Sequence, residues 1–210
     1  MSNKFSQIAI AGNIGAGKTT LTQKLSEDLK INPIFESVDD NPYLELFYDD
    51  MSRWSFNLQI FFLHKRFSNQ LELINSRQSF VQDRSIYEDK EIFAKNLNDM
   101  KSMSDIDWDT YCNLFNDMIQ FIDQPDLIIY LKASTPTLIS RIKNRKRDFE
   151  SDISPEYIHS LNIYYDKWIS RINQNKVLVV NTDNFNIFKD HSKYLDIKNS
   201  ILKKVPNLCL

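Results

Sequence analysis

The sequence predicts an α/β fold, a five-stranded parallel sheet flanked by helices, formed by a single domain over residues 1–210. Three observations predict it. Five short runs are apolar almost without interruption, as strands buried on both faces of a parallel sheet must be. Long stretches of helical periodicity separate them, and strands alternating with helices point to a doubly wound sheet. The chain has 210 residues, 42% of them hydrophobic, with 14 Phe, 9 Tyr and 3 Trp. That suits one domain with a sizeable core.

The predicted strands are Gln7–Ala11, Ile34–Val38, Phe80–Gln82, Asp126–Leu131 and Lys176–Asn181. The helical patterns are Lys18–Leu29, Tyr43–Tyr48, Arg53–Asn75, Ile86–Asn98, Trp108–Asp123, Thr135–Lys146, Pro155–Asn173 and Phe188–Lys203. Ser154 before Pro155 is an N-cap followed by a first-turn proline, a strong start signal. Asn32, Asn75 and Asn98 follow helical runs, where asparagine can take the left-handed role that glycine usually fills. Residues Lys101–Asp109 read as an exposed loop, and Arg141–Arg147 (RIKNRKR) as the strongest local cluster of positive charge.

Composition narrows the function. The chain has only 3 glycines, Gly12, Gly15 and Gly17, where average usage would give roughly 15. A second glycine-dependent motif is therefore excluded: no dinucleotide fingerprint, no nucleophile elbow, no DxxG-type GTPase switch. A net charge of −2 argues against a duplex nucleic-acid binder. Cys112 and Cys209 match no metal spacing and read as free thiols of a reducing cytoplasm. No signal peptide and no membrane-length apolar run is present, so the expectation is a cytoplasmic protein with no membrane partner.

The glycines belong to one motif. Gly12-Asn13-Ile14-Gly15-Ala16-Gly17-Lys18-Thr19 fits GxxxxGK[ST], after a predicted strand and at the start of a predicted helix, with Thr20 next. Glycines let the backbone wrap a phosphate with its N–H groups inward, and the helix N-terminus adds partial positive charge. Lys18 can reach the β- and γ-phosphates, and the Thr19 hydroxyl can bind Mg²⁺. Such a loop serves kinases, ATPases and GTPases alike; without DxxG, and without a long apolar strand ending in an acidic pair, a small-molecule kinase fits the length best, on a P-loop kinase fold with Mg²⁺ and ATP as donor.

Two further strands end in charged groups. Glu36 lies near the end of the second, and Asp83-Arg84-Ser85 closes the third. Ligands of open α/β sheets sit outside the carboxyl ends of the strands, so Lys18, Glu36, Asp83 and Arg84 should converge. Phosphoryl transfer to an alcohol needs a base and cations around the moving group. Glu36 is the candidate base. Arg84 is a candidate for contacting the phosphoryl group or steering Glu36. Asp83 is a candidate for holding Mg²⁺ through water or for capping the helix from Ile86. Arg141 and Arg145 share a helix face and, with Arg147, read as an arginine-rich lid over residues 141–153 or as a solvated basic face.

These segments together resemble the deoxynucleoside kinases, especially the bacterial deoxyadenosine/deoxyguanosine type. The matching motifs are AGNIGAGKTT, FESVDDNPYLELFYDD, RWSFNLQIFFLHKR, DRSIYEDKEIFAKNL, ISRIKNRKRDFE and SPEYIHSLNIYYDKW. The resemblance implies that Glu36 acts on the sugar 5′-hydroxyl with Arg84 beside it and Asp83 in the metal region. It implies that Tyr48 and Glu150 hold the 3′-hydroxyl, Gln59 reads the base edge, Arg66 and Asp89 pair near the base, and Phe93 stacks on it. It places the adenine of ATP near Thr182–Phe185, with Asp183 and Phe185 at hand. Side-chain chemistry agrees: Gln59 can both donate and accept, and any base offers a face to Phe93. The bland alternatives are a helix-surface amide at Gln59 and a plain core aromatic at Phe93. The Arg66/Asp89 pair resembles that of kinases accepting deoxyadenosine, deoxyguanosine or deoxycytidine; it implies a purine preference, deoxyadenosine first, with a deoxyguanosine/deoxycytidine kinase as the alternative. Ser37 stands where many relatives have proline, and Lys146 where many have a lid glycine. The family habit of dimerising implies a homodimer, with Arg53–Asn75 and Trp108–Asp123 as candidate faces. The competing readings are a nucleoside monophosphate kinase and a nucleotide-binding regulator without turnover.

Overall fold

Strand β1 (Gln7–Gly12) is the axis of the molecule, buried at every residue. The structure, a computed structural model, describes residues 5–36, 40–145, 147 and 153–209. Strand β1 pairs in parallel with β3 (Phe80–Asp83) on one side and β4 (Leu127–Lys132) on the other. The outer positions belong to β2 (Asn32–Ile34) and β5 (Val177–Asn181), giving the order β2-β3-β1-β4-β5. This is the five-stranded parallel sheet that the apolar runs predict.

Helices cover the sheet. They are α1 (Lys18–Leu29), α2 (Leu44–Asp49), α3 (Met51–Ser76), α4 (Ile86–Glu88), α5 (Lys95–Asp99), α6 (Asp105–Met118), α7 (Thr135–Arg145), α8 (Pro155–Arg171) and α9 (His191–Lys204). Ser154 caps α8 by accepting from the Tyr157 N–H at 3.1 Å, with Pro155 in the first turn as expected. None of the helices among the described residues is long and apolar enough to cross a membrane.

Four local expectations are corrected. Strand β2 runs over Asn32–Ile34 and not Ile34–Val38, which leaves Glu36 two residues past the strand; Ser37 and Val38 lie outside the described residues. Pro33 has no N–H to offer, and β2 accordingly sits at the sheet edge, bonded to β3 alone. The stretch 101–109 is not all loop: Ser104 accepts from the Asp107 N–H at 3.1 Å and starts α6 at Asp105. Asn32, Asn75 and Asn98 do not take the left-handed turns. Lys30, Arg77 and Lys101 do, at φ 54°, 54° and 62°, so long basic side chains fill positions that glycine usually occupies. Finally, the helix expected over Ile86–Asn98 is interrupted by a π-helical stretch at Asp89–Ala94.

Candidate functional site

At the carboxyl ends of β1, β2 and β3 lies a cavity of about 550 Å³. The phosphate loop forms one wall. Gly12 leaves β1 where a side chain would be impossible: a Cβ there would lie 2.9 Å from the Leu131 carbonyl and 3.1 Å from the Ala16 Cβ. Gly17 opens α1 in the left-handed region, at φ 95°. Ile14, Gly15, Gly17, Lys18, Thr19 and Thr20 line the cavity. Asn13 and Ala16 are buried behind it. The Asn13 amide turns away, donating to the Ile158 carbonyl at 2.9 Å and to Asn162 at 2.8 Å on α8. Lys18 donates to the Asn13 carbonyl at 3.0 Å. Burial, then the charge of Arg84, pulls the Lys18 ammonium down to about 8.

The opposite wall is made of ionised side chains. Glu36 accepts from Arg84 Nε at 2.9 Å and from Arg66 Nη2 at 3.3 Å. Burial alone would raise its pKa, but Arg84, Arg66 and Lys18 outweigh that and hold it at about 2. Arg84 sits in the left-handed region at φ 70°, a strained setting for a branchless but bulky residue. Its N–H still bonds the Ile10 carbonyl at 3.0 Å, so the chain stays on the sheet until the turn that throws the guanidinium across the strand ends. The guanidinium lies 4.3 Å over the Phe93 ring, and Nη1 donates to the Tyr165 hydroxyl at 2.7 Å.

Arg66 does not line the cavity. It is buried behind the acceptor wall, where it grips Asp89 through Nε at 2.7 Å and Nη2 at 3.2 Å. Its Nη1 donates to the carbonyls of Asp83 and Arg84 at 3.1 and 3.0 Å. Arg66 and Asp89 thus form the expected pair, but only Asp89 reaches the cavity. Burial raises the Asp89 pKa against the pull of Arg66. The π-helical stretch turns Asp89 and Phe93 into the cavity from one face, a use of this rare geometry common at functional sites.

Gln59 is buried on α3 and lines the cavity, and its Oε1 has no protein partner. Tyr48 also lines it. Glu150 lies outside the described residues, as do residues 146, 148, 149, 151 and 152 of the expected lid. Arg141, Arg145 and Arg147 line the cavity. Arg141 donates to the Thr182 hydroxyl at 3.2 Å and to the Thr182 carbonyl, which ties α7 to the loop after β5. In that loop Asp183 and Phe185 do not line the cavity. The Asp183 carboxylate accepts from the N–H and hydroxyl of Ser134, both at 2.8 Å, and Phe185 lies under Lys193.

Asp83 accepts from the Thr19 hydroxyl at 2.5 Å, and its other oxygen is buried without a protein partner. It does not cap the helix from Ile86; Ser85 holds that position. One hydroxyl and one carboxylate with a spare oxygen are hard oxygen donors that fit Mg²⁺, which takes most of its ligands from water and substrate phosphates. No larger cluster of metal-binding side chains occurs among the described residues.

Three features escape a reading of motifs. An apolar wall of Leu44, Phe47, Leu58, Phe62 and Tyr157 gives the cavity its shape. Tyr165 joins Arg84 to the loop by donating to the Gly12 carbonyl at 2.8 Å. Glu88 is fully buried beneath the site and accepts from the Ser85 N–H at 3.2 Å. The SPEYIHSLNIYYDKW and DRSIYED segments carry the last two, but nothing in their spacing marks the contact.

Residues 8–206 match the profile described as deoxynucleoside kinase. The deoxyadenosine/deoxycytidine kinase of Bacillus subtilis is 40% identical over 200 residues, 94% of this chain and 92% of that one. The deoxyadenosine kinase of Dictyostelium discoideum is 45% identical over 167 residues, 80% of this chain and 68% of that one. The solved deoxyadenosine kinase of M. mycoides with dCMP and dCDP bound superposes with a TM-score of 0.80 at 33% identity, covering 92% of this chain and 99% of the other.

Proposed function

The chain belongs to the deoxynucleoside kinase family, and from that premise we propose that it moves the γ-phosphoryl group of ATP to the 5′-hydroxyl of a purine deoxynucleoside, deoxyadenosine first. It is an enzyme that phosphorylates deoxynucleosides on a P-loop kinase fold. The observation that carries the substrate side is the pairing of Gln59 Oε1, which lacks a protein partner, with the Asp89 carboxylate on the same cavity. Both are acceptors. Adenine and cytosine each present an exocyclic amino group there, while thymine O4 and guanine O6 are acceptors, so these two groups favour deoxyadenosine among the purines. The same argument supports deoxycytidine as a second substrate, in keeping with the double name of the Bacillus subtilis relative.

The proposed roles follow. Backbone N–H groups of Gly12–Thr20 and the Lys18 ammonium receive the donor phosphates. Thr19 and Asp83 would hold Mg²⁺, which supplies positive charge to the phosphates when bound. Glu36 is ionised at every physiological pH, orients the 5′-hydroxyl and takes its proton late, as charge leaves the oxygen. The 5′-oxygen bonds to the γ-phosphorus, the bond to the β-phosphate oxygen breaks, and ADP departs. Arg84 offsets the charge of the moving group; Arg141, Arg145 and Arg147 act on it or on the donor as a lid over 141–153. Tyr48 and Glu150 hold the 3′-hydroxyl, Phe93 packs on the base, and the Thr182–Phe185 loop with Asp183 and Phe185 frames the donor adenine. Arg66 acts from behind, by holding Asp89 and Glu36.

We also infer one catalytic domain over 1–210, a homodimer and a cytoplasmic location. Light scattering of the purified protein reads the assembly state. ADP release with a panel of nucleosides and nucleoside monophosphates tests the activity. Turnover with deoxyadenosine and little with any monophosphate is expected; thymidine as the best substrate overturns the base assignment.

A further inference from the structure

Helix α8 holds the phosphate loop at two consecutive residues. Asn13 is bonded to the Ile158 carbonyl and to Asn162, and the Gly12 carbonyl accepts from the Tyr165 hydroxyl at 2.8 Å. One of these contacts continues to the other wall, because the same hydroxyl accepts from Arg84 Nη1 at 2.7 Å. We propose that Tyr165 is a positioning residue for phosphoryl transfer: its hydroxyl sets the spacing between Arg84 on the acceptor side and the phosphate loop on the donor side. The inference rests on the kinase reading above and adds a residue that touches neither substrate.

The direction of the chain is fixed. A guanidinium cannot accept and a carbonyl cannot donate, so the single phenolic proton must point to Gly12 and the lone pairs to Arg84. Burial holds the phenol far above its ordinary pKa, which keeps that proton in place. Bonds linked in this sense strengthen one another. The ring has no freedom to drift. It is fully buried, stacks on Tyr130 with centroids 5.6 Å apart at 14°, and meets Phe93 and Trp168 edge-on, each at 6.5 Å. Arg84 is therefore fixed at Nε by Glu36, at Nη1 by Tyr165 and on its face by Phe93. The Glu36 bond sets where Arg84 points. The Tyr165 bond sets how far it stands from the loop that carries the donor. Misplacing a group by 1 Å in such a site lowers rate by about 10²-fold.

The test compares Tyr165→Phe with Tyr130→Phe in the whole protein. Tyr130 is the neighbouring buried phenol, bonded to Asp166 of the same helix at 3.2 Å, and serves as the control for losing a hydroxyl from this seam. Tyr165→Phe should lower kcat by about 10-fold or more, with both KM values within about 2-fold. Tyr130→Phe should lower the melting temperature comparably and leave kcat alone. A double-mutant cycle with Arg84→Lys then asks whether Tyr165 acts through Arg84: in that background Tyr165→Phe should change kcat by less than about 2-fold. An unchanged kcat in Tyr165→Phe, an equal loss in Tyr130→Phe, or full additivity with Arg84→Lys overturns the proposal. Should Tyr165→Phe not fold, the cycle is run with Tyr165→His, and additivity is again the overturning result. Failure of the kinase reading is distinct, since the wild-type protein would then show no deoxynucleoside-dependent ADP release at all.

Discussion

The two walls of the cavity are built by opposite means. The donor wall is backbone: consecutive residues from Gly12 to Thr20, shaped by glycine and fixed by the end of one strand and the start of one helix. The acceptor wall is side chains: Glu36, Arg84 and Asp89, with Arg66 buried behind them, brought together from four places in the chain. A backbone cradle binds any triphosphate and discriminates little. A network of buried ions is rigid and directional, and it is where the identity of the acceptor is decided. Damage to the two walls should therefore be separable in kinetics.

The largest separation is expected at Glu36. Glu36→Gln keeps an oxygen for Arg84 but removes the proton acceptor, and kcat should fall by about 10²–10⁴-fold. Titration calorimetry should find ATP affinity unchanged. A Gln variant that turns over normally would remove Glu36 from the chemistry, and one that loses ATP binding would show that the walls are not independent.

Gly12→Ala attacks the other wall. Its Cβ would meet the Leu131 carbonyl, a backbone atom, at 2.9 Å and the Ala16 Cβ, which has no torsion to turn away, at 3.1 Å, so the loop must shift. Losing one amide bond to a charged phosphate, about 1.5–3 kcal/mol, weakens ATP roughly 10- to 100-fold. Deoxynucleoside binding, read by the same calorimetry, should hold. A parallel loss of both ligands would break the contrast.

The same contrast explains what the sequence could disclose. The donor wall is contiguous, so GxxxxGK[ST] after an apolar run and before a helical one locates strand, loop and helix together. The sheet was legible for a like reason: β1 and β4 are buried along almost their whole length and read as apolar runs. The acceptor wall is not contiguous. Arg66 and Glu36 are thirty positions apart and meet only because α3 lays its polar stripe inward, burying Gln59, Arg66 and Gln70 where apolar residues are expected. Periodicity cannot foresee that inversion: the family resemblance supplied Gln59 and Arg66, and nothing in the sequence marked Gln70. The resemblance implied an Arg66/Asp89 pair near the base; the two are paired, with Asp89 on the cavity and Arg66 behind it. The asparagine caps failed because the left-handed turns fall two or three positions away, at Lys30, Arg77 and Lys101.

Arg66→Met tests how far the ion network carries the acceptor wall. Removing it leaves Asp89 buried without its partner, a loss of about 3–5 kcal/mol for a broken buried pair. In a chain of this size that is about 2–4 °C of melting temperature for each kcal/mol. The KM for deoxyadenosine should rise while the KM for ATP stays. A Met variant as stable as the wild type would mean that Asp89 takes up a proton and that the network is less rigid than its geometry.

The smallest effect sharpens the contrast within the acceptor side itself, between two buried glutamates. Glu36 has two arginines on its carboxylate and is held at about 2, so its share of stability is complete above its ordinary value of 4.5 and is lost as pH falls through 2. Glu88 is the reverse. Burial outweighs the pull of Arg84, Lys18 and Arg66 and raises it from 4.5 to about 8, with one oxygen on the Ser85 N–H and the other without a partner. The folded state binds that proton more tightly than the unfolded chain. Its contribution is therefore full below 4.5 and is lost as pH rises through 8. Glu88→Gln keeps an acceptor for Ser85 and cannot titrate. Its melting temperature relative to wild type should climb between pH 5 and pH 8.5, by about 2–4 °C for each kcal/mol recovered. Its kcat should change little. A flat difference across that range would place Glu88 with Glu36, as a carboxylate kept charged by Arg84. The ion network would then extend one layer deeper than the hydrogen bonds reach.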